Sequence, residues 1–230
     1  MRHKSVRAVL LCVVVVAVLA LVAAPAVATT PSSTTDGATT VVHGVLTDNA
    51  VVKKAIRNAT VTVAGMPATV SGQSYTVAHV PVGQQTIVVS AARHVKLTQL
   101  VVILAGENTI NVSLGLTAKE TYLRYFNSYN HFRYWTAYKM VHPDVRAHYP
   151  FARYRDYMWF FTHPPYLSTR VLQVRTLATW RPRYLHKTYR DVKAITSERP
   201  YKCMGEIITE RGVGQWDEIS GRWYRIFDWH

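Results

Sequence analysis

The chain has 230 residues, a formal net charge of +14 and a sequence pI near 10.0. This length is enough for one or two domains with their own hydrophobic cores. The chain has only two cysteines, Cys12 and Cys203, which excludes a disulfide-rich scaffold.

The N-terminal residues have the three parts of a secretion signal. Basic residues among the first seven positions precede an apolar run over 8–24. Pro25 ends the run, and Ala26-Val27-Ala28 is the small–x–small sequence that signal peptidases cleave. We therefore predict a signal peptide over residues 1–28 and a mature chain that begins at Thr29. The alternative is an uncleaved N-terminal anchor helix, because the apolar run approaches the length that spans a bilayer.

Export limits the candidate partners of the mature chain. Residues 29–40 are rich in Thr and Ser and predict a flexible linker. Loss of three basic residues with the signal lowers the formal charge to +11 and leaves Cys203 without an intrachain disulfide partner. A basic protein outside the cytoplasm meets anionic envelope polymers and the membrane surface, so we expect these partners and no nucleic acid.

A break in composition divides the mature chain. Residues 41–116 contain one aromatic residue, Tyr75, whereas all Trp and Phe residues lie in 117–230. Such a shift predicts two domains, 41–116 and 117–230. Short runs rich in Val, Ile and Thr, separated by turn residues, predict an all-β sandwich for the first domain. These strands are expected at Val41–Val45, Ala59–Val63, Tyr75–Val80, Gln85–Ser90, Leu97–Leu104 and Asn108–Leu114.

Several stretches of 41–116 are similar to the carboxypeptidase regulatory-like family. They are His43-Gly44-Val45, Ala59-Thr60-Val61-Thr62-Val63, Gly72 before Tyr75-Thr76-Val77, and Val80-Pro81-Val82-Gly83 before Thr86-Ile87-Val88-Val89-Ser90. The resemblance implies a seven-stranded, transthyretin-like sandwich, a fold shared with starch-binding-like modules. The chain has Ser71-Gly72-Gln73 in place of the family's Asp-rich turn and contains no zinc-ligand motif such as HxxE or HExxH.

The second domain begins with helical periodicity. Thr117 and Glu120 fit a capping box at the start of the first helix. A second helix is predicted from Tyr134 until Pro143 ends it, and a third follows Pro150.

Beyond Pro165 the period changes to two. Residues 172–180 predict a strand with Leu172, Val174 and Trp180 on one face, and further strands are predicted at 188–197, 202–210, 214–218 and 222–229. Ser220-Gly221 predicts a tight turn. Helices followed by a meander of strands make an α+β domain.

This order, with several local sequences, resembles the nuclear transport factor 2-like superfamily, also called SnoaL-like. The sequences are Ala137-Tyr138-Lys139-Met140-Val141-His142-Pro143-Asp144, Thr179-Trp180-Arg181, Tyr189-Arg190-Asp191-Val192 and Gly221-Arg222-Trp223-Tyr224-Arg225-Ile226. The resemblance implies a curved antiparallel sheet that wraps helices into a cone with a pocket at its open end. The family contains isomerases, hydrolases and many members that only bind or dimerise, so a small apolar ligand and a homodimer are also implied.

An enzyme on this fold needs a carboxylate among apolar residues near a hydrogen-bond donor. The candidate acids are Asp144, Asp156 and Asp191, and the candidate donors are Tyr138 and Tyr157. A capped turn explains Asp144 equally well, and solvated surface positions explain the other two acids. For a bound ligand, the candidate residues are Tyr138, Tyr157, Trp180 and Trp223.

Histidine spacing predicts no metal site, and no cofactor is expected. The sequence therefore favours a secreted or envelope-associated, non-catalytic binding protein, with the sandwich as a spacer or adhesion module and the cone as the ligand- or partner-binding domain. One alternative is an isomerase- or hydrolase-like enzyme that uses the cone pocket. Another is carbohydrate binding by the sandwich, whose one aromatic residue is Tyr75.

Overall fold

The computed structural model describes residues 40–50, 53–161 and 165–227. The predicted signal peptide, its anchor alternative and the linker up to residue 39 lie outside the described residues. The described part is a mixed α/β protein, mostly β, with three sheets and four helices. None of its helices is long and apolar enough to cross a membrane.

Nine strands form two sheets in residues 41–116. The first sheet has the order β4-β5-β1-β8, with β9 also paired to β1, and the second has the order β3-β2-β6-β7. The strands are β1 (Val41–Asp48), β2 (Thr60–Val63), β3 (Met66–Pro67), β4 (Thr69–Ser71), β5 (Ser74–Ala78), β6 (Gly83–Ser90), β7 (Leu97–Ile103), β8 (Glu107–Thr109) and β9 (Val112–Leu114).

The two sheets share one hydrophobic core. Alternate residues of β1 are buried along its whole length, as period-two alternation requires of a strand with one face in the core. The same alternation buries Val61 and Val63 of β2. Tyr75 is 1% exposed, and its hydroxyl donates to the Ile110 carbonyl oxygen at 2.6 Å. Burial raises the pKa of Tyr75 to about 12.

The prediction of one strand over Asn108–Leu114 is wrong in one respect. The segment makes two strands, β8 and β9, which pair in parallel with the two halves of β1. Between them the Ile110 amide donates to the His43 carbonyl oxygen at 2.8 Å, and Asn111 Oδ1 accepts from the Val45 amide at 3.1 Å. The parallel pairing between β1 and this segment is interrupted at Ile110 and Asn111. The Ile110 carbonyl oxygen lies there against the backbone of Gly44, and any Cβ at position 44 would overlap it.

Four helices follow, where the sequence predicted three. They are α1 (Ala118–Asn130), α2 (Tyr134–Lys139), α3 (Pro143–His148) and α4 (Phe151–Phe161). Pro143 does not simply end a helix. It occupies the first turn of α3, where the missing proline N–H costs nothing, and the His142 side chain caps that helix.

The predicted capping box is half present. Thr117 Oγ1 accepts from the Glu120 amide at 3.2 Å, which confirms the N-cap of α1. The Thr117 amide donates to the Arg93 carbonyl instead, at 3.0 Å, and the Glu120 carboxylate lies 3.5 Å from Arg124.

The last four strands form an antiparallel meander in chain order. They are β10 (Arg170–Trp180), β11 (Tyr189–Cys203), β12 (Glu206–Ile219) and β13 (Arg222–Ile226). Ser220 and Gly221 both have positive φ, which confirms the predicted tight turn. The predicted strands 202–210 and 214–218 are wrong at their ends, because an unpredicted turn at Met204-Gly205 lets β12 run without a break.

The prediction that Leu172, Val174 and Trp180 share one face of β10 is also wrong in part. Leu172 and Val174 are exposed, whereas Val171, Leu177 and Trp180 pack against the core. A register shift between Val171 and Gln173 changes the face that successive side chains occupy.

A second core lies between the helices and this sheet. Its largest fully buried side chains come from α1, α4 and β12, and they include Tyr122, Tyr125, Tyr154 and Trp216. The Tyr125 and Tyr154 hydroxyls are 2.9 Å apart, and the Tyr122 hydroxyl bonds the Ser197 hydroxyl. The abundance of Tyr in this part of the sequence is therefore explained by a core whose hydroxyl groups bond one another.

Candidate functional site

A cavity of about 180 Å³ lies where the end of β1, helices α1 and α2, and strand β13 meet. Three contacts hold its walls together. Asp48 Oδ1 accepts from the Lys54 amide at 2.9 Å, and Asp48 Oδ2 accepts from Arg124 Nη1 at 2.8 Å. The Asn49 side-chain amide donates to the Gly221 carbonyl oxygen at 2.8 Å. Side chains far apart in sequence thus surround one space.

The wall of the cavity combines cations with an apolar floor. No described residue that lines it is acidic, and its cations are Lys54, Arg124, Arg133 and Arg222. The uncharged polar lining residues are Asn49, Thr121, Asn127, Ser128 and Thr136. The remaining lining residues are Ala50, Leu116, Met140, Trp223 and Tyr224.

Strand β13 places Trp223 and Tyr224 against the cavity. The Arg225 amide donates to the Met140 carbonyl at 2.8 Å, and the His142 amide donates to the Arg225 carbonyl at 2.9 Å. These bonds tie the chain after α2 to β13 and so bring Met140 beside Trp223. The Trp223 indole Nε1 is buried and has no hydrogen-bond partner among the described residues.

Of the four residues predicted to bind a ligand, Trp223 alone lines this cavity. The Tyr138 hydroxyl donates to the Tyr149 carbonyl oxygen at 2.8 Å, and its ring packs on Tyr154. Tyr157 lies on α4 and is 37% exposed, and Trp180 lies at the end of β10 near Tyr189. The structure therefore does not bring the four rings together.

The candidate acids occupy different environments. Asp156 is exposed and pairs with Arg155 at 2.8 Å. Asp191 is an exposed residue of β11 with a positive φ of 54°. Asp144 alone joins a cluster of polar side chains, but neither Tyr138 nor Tyr157 is its hydrogen-bond donor. Lys187 Nζ and the Tyr189 hydroxyl donate to Asp144 Oδ2 instead, at 2.6 and 2.8 Å.

His142 is the buried centre of that cluster. Its Nδ1 accepts from the Asp144 amide at 3.1 Å, so in the neutral ring the proton lies on Nε2, which faces Asp217 Oδ2 at 3.3 Å. Burial lowers the pKa of His142, although Asp144 and Asp217 oppose the shift. Burial alone would raise the pKa of Asp144, but the hydrogen bonds from Lys187 and Tyr189 lower it overall.

This cluster has the residue types of proton transfer, but its side chains do not open into the cavity, from which Tyr224 separates His142. None of the His142, Asp144, Lys187, Tyr189 and Asp217 side chains lines the cavity. In the part of the chain that the structure describes, no group of three or more His, Cys, Asp or Glu side chains could hold a metal ion.

Sequence reasoning missed the cations of the cavity and the role of His142. Lys54, Arg133 and Arg222 lie in three separate segments, and nothing in their local sequence distinguishes them from other surface cations. His142 could have been found from its position directly before Pro143-Asp144, because a side-chain acceptor followed by Pro at N1 is a helix start.

Comparison with known proteins adds little. No family model matches the chain, and no curated protein matches it. Among solved structures, the chain is similar to a SEC-C motif containing protein from Rhodopseudomonas palustris, with 14% identity over 47% of this chain and 73% of that one, at a TM-score of 0.35. A likeness at that score carries no argument about fold or function.

Proposed function

We propose that this protein is a secreted or envelope-associated binding protein without catalytic activity, and that the cavity beside Trp223 is its ligand site. In this proposal residues 41–116 are a transthyretin-like sandwich of the carboxypeptidase regulatory-like kind, which acts as a spacer or adhesion module. Residues 117–230 are a nuclear transport factor 2-like cone that supplies most of the ligand site. The N-terminal sequence supports export, and the formal charge of +11 after cleavage supports contact with anionic envelope material.

The observation that carries the proposal is the composition of the cavity wall. An apolar floor with a few polar groups is the usual composition of a small-molecule site. The cavity wall contains no carboxylate and no histidine among the described residues. It thus lacks His, Asp and Glu, the side chains that most often transfer protons, but it has an aromatic ring and polar groups for binding.

A fragment screen by NMR tests this proposal. We expect neutral, benzene-sized fragments to shift the Trp223 indole N–H resonance, which Trp223→Phe assigns by its disappearance. Thr136→Phe, which places a ring at the half-buried Thr136 of the cavity wall, should abolish these shifts. Thr179→Phe, at an exposed position of β10 outside the wall, is the matched control and should leave them unchanged.

Two outcomes would contradict the proposal. Fragments that leave the Trp223 resonance unchanged would remove the cavity as the ligand site. Fragments that shift the His142 ring resonances instead would favour the second candidate function, a small-molecule enzyme. The pairing of the buried His142 with the partly exposed Asp217, beside Asp144, is the observation that supports that candidate.

Carbohydrate binding through the sandwich has less support. Tyr75 is the sole aromatic residue of 41–116, and it is buried with its hydroxyl bonded to the backbone. It therefore presents no ring on which a sugar could stack.

A further inference from the structure

One of the four cations of the cavity wall forms salt bridges with carboxylates, and the other three do not. Arg124 pairs with Asp48 at 2.8 Å and with Glu120 at 3.5 Å. Lys54, Arg133 and Arg222 make no salt bridge within the described residues. Three uncompensated positive charges therefore face one small space, and like charges held together favour an anion between them.

These three cations are held near the cavity by the fold. The Lys54 amide is bound to Asp48, and the Arg133 amide donates to the Ser128 carbonyl at 2.8 Å. Arg222 follows the Ser220-Gly221 turn, whose carbonyl accepts from Asn49. Their side chains are solvent-exposed and can reach an anionic group at the mouth of the cavity.

Behind the cations the cavity is apolar and small. Leu116 and Met140 are buried, and Trp223 is half-buried. The cavity volume of about 180 Å³ is close to the roughly 150 Å³ of an apolar cavity that holds benzene. One six-membered ring or a short alkyl chain therefore fits beyond the charged mouth.

We infer that the cavity binds a small organic acid, with the anionic group at Lys54, Arg133 and Arg222 and a benzene-sized apolar body against Leu116, Met140 and Trp223. This inference rests on the proposed function and names the ligand class for the same site. The anionic group could also belong to an acidic polymer. The apolar floor favours the small acid, because a hydrated sugar chain would bring hydroxyl groups against the side chains of Leu116 and Met140, which cannot bond them.

Isothermal titration with three probes of one size tests the charge preference. The probes are benzoate, benzyl alcohol and benzylamine, titrated into the purified protein at neutral pH. We expect benzoate to bind about tenfold more tightly than benzyl alcohol, because a charge-assisted hydrogen bond at an exposed mouth adds about that factor. Benzylamine should bind more weakly than the alcohol. Added salt should weaken the binding of benzoate but not that of benzyl alcohol, since screening acts on the pair of opposite charges.

Substitutions of the exposed cations identify the residues that hold the anion. Arg133→Gln and Arg222→Gln should each weaken benzoate binding about threefold to tenfold and leave benzyl alcohol unchanged. Arg175→Gln is the matched control, since Arg175 is an exposed arginine of β10 outside the cavity wall. Because the side chains of Arg133, Arg222 and Arg175 are exposed, each variant should keep the wild-type melting temperature. If one of the variants melts at a lower temperature, Lys54→Gln replaces it.

Each contrary outcome overturns a defined part of the argument. Equal affinity for benzoate and benzyl alcohol would overturn the anion preference but leave the cavity as a binding site. Oligogalacturonate is titrated as a fourth probe, and its binding without benzoate would overturn the small acid in favour of a polymer. If none of the four probes binds, the inference and the proposed function both fail.

Discussion

At the scale of single residues, His142 has several roles in the structure. It is 3% exposed, caps α3 through Nδ1 and faces Asp217 through Nε2. The other titratable groups around it are Asp144, Lys187, Tyr189 and Tyr224. Burial and the capping bond both favour the neutral ring, because a protonated Nδ1 could no longer accept from the Asp144 amide.

This environment predicts a pH dependence of stability. The pKa of folded His142 is lowered from 6.5, so the unfolded state binds the proton more readily. The stabilisation is present above about pH 6.5 and is lost as the pH falls through the folded pKa. We expect the free energy of unfolding, measured with urea, to decrease between about pH 7.5 and about pH 5.5. His142→Asn should reduce this dependence, since Asn keeps a capping oxygen without titrating.

The control for this prediction is the exposed His148→Asn in the same helix, which should keep the wild-type pH dependence. Asp144 does not contribute to this decrease, because its pKa is lowered from 3.8 and its contribution to stability is lost only at lower pH. An unchanged slope in His142→Asn would show that another group causes the decrease.

At the scale of elements, the parallel pairing of β1 with both β8 and β9 depends on Gly44. The Ile110 carbonyl oxygen occupies the space that a Cβ at position 44 would need, and the same oxygen accepts from the Tyr75 hydroxyl. The sequence predicted one strand through this point, over Asn108–Leu114. It did not show the interruption, because the contact joins residues that are 66 positions apart.

Gly44→Ala should therefore destabilise the protein strongly. The new methyl group would overlap backbone atoms, which cannot move as a flexible side chain can. We therefore expect the free energy of unfolding to fall by about 3 kcal/mol or more. Thermal or urea unfolding measures it. Gly72→Ala is the matched control: nothing lies near a Cβ there, and its φ of +61° should cost about 1 kcal/mol. Equal losses in the two variants would show that the overlap at Gly44 is relieved.

At the scale of the whole molecule, two hydrophobic cores are tied together by polar contacts. Asp48, at the end of β1, is 1% exposed and bonds Arg124 of α1, and Asn49 bonds the turn before β13. Arg124 and Asn49, which make these contacts, also line the cavity. The cavity wall and the coupling of the two cores thus share two residues.

Arg124→Gln tests this coupling. It leaves the buried Asp48 carboxylate without its cation, so we expect the free energy of unfolding to fall. The decrease should be limited to about 2 kcal/mol because Arg124 is itself partly exposed. Tryptophan fluorescence reports only on residues after 117, and amide exchange in β1 reports on the first core. In urea the two signals should coincide for the wild type and separate in the variant. Arg153→Gln, an exposed residue of α4, should leave them coincident.

The sequence by itself determined the division into a strand-rich half and a helix-then-strand half, the first N-cap and the last turn. These features depend on neighbouring residues, such as Thr117 with Glu120 or Ser220 with Gly221, so local patterns contain the information. Only the tertiary structure decided the split of β8 from β9 and the polar cluster around His142. It also brought Lys54, Arg133, Arg222 and Trp223 around one cavity. Those arrangements join residues distant along the chain. They are fixed by contacts such as the bond from the Asn49 side-chain amide to the Gly221 carbonyl oxygen, which no periodicity encodes.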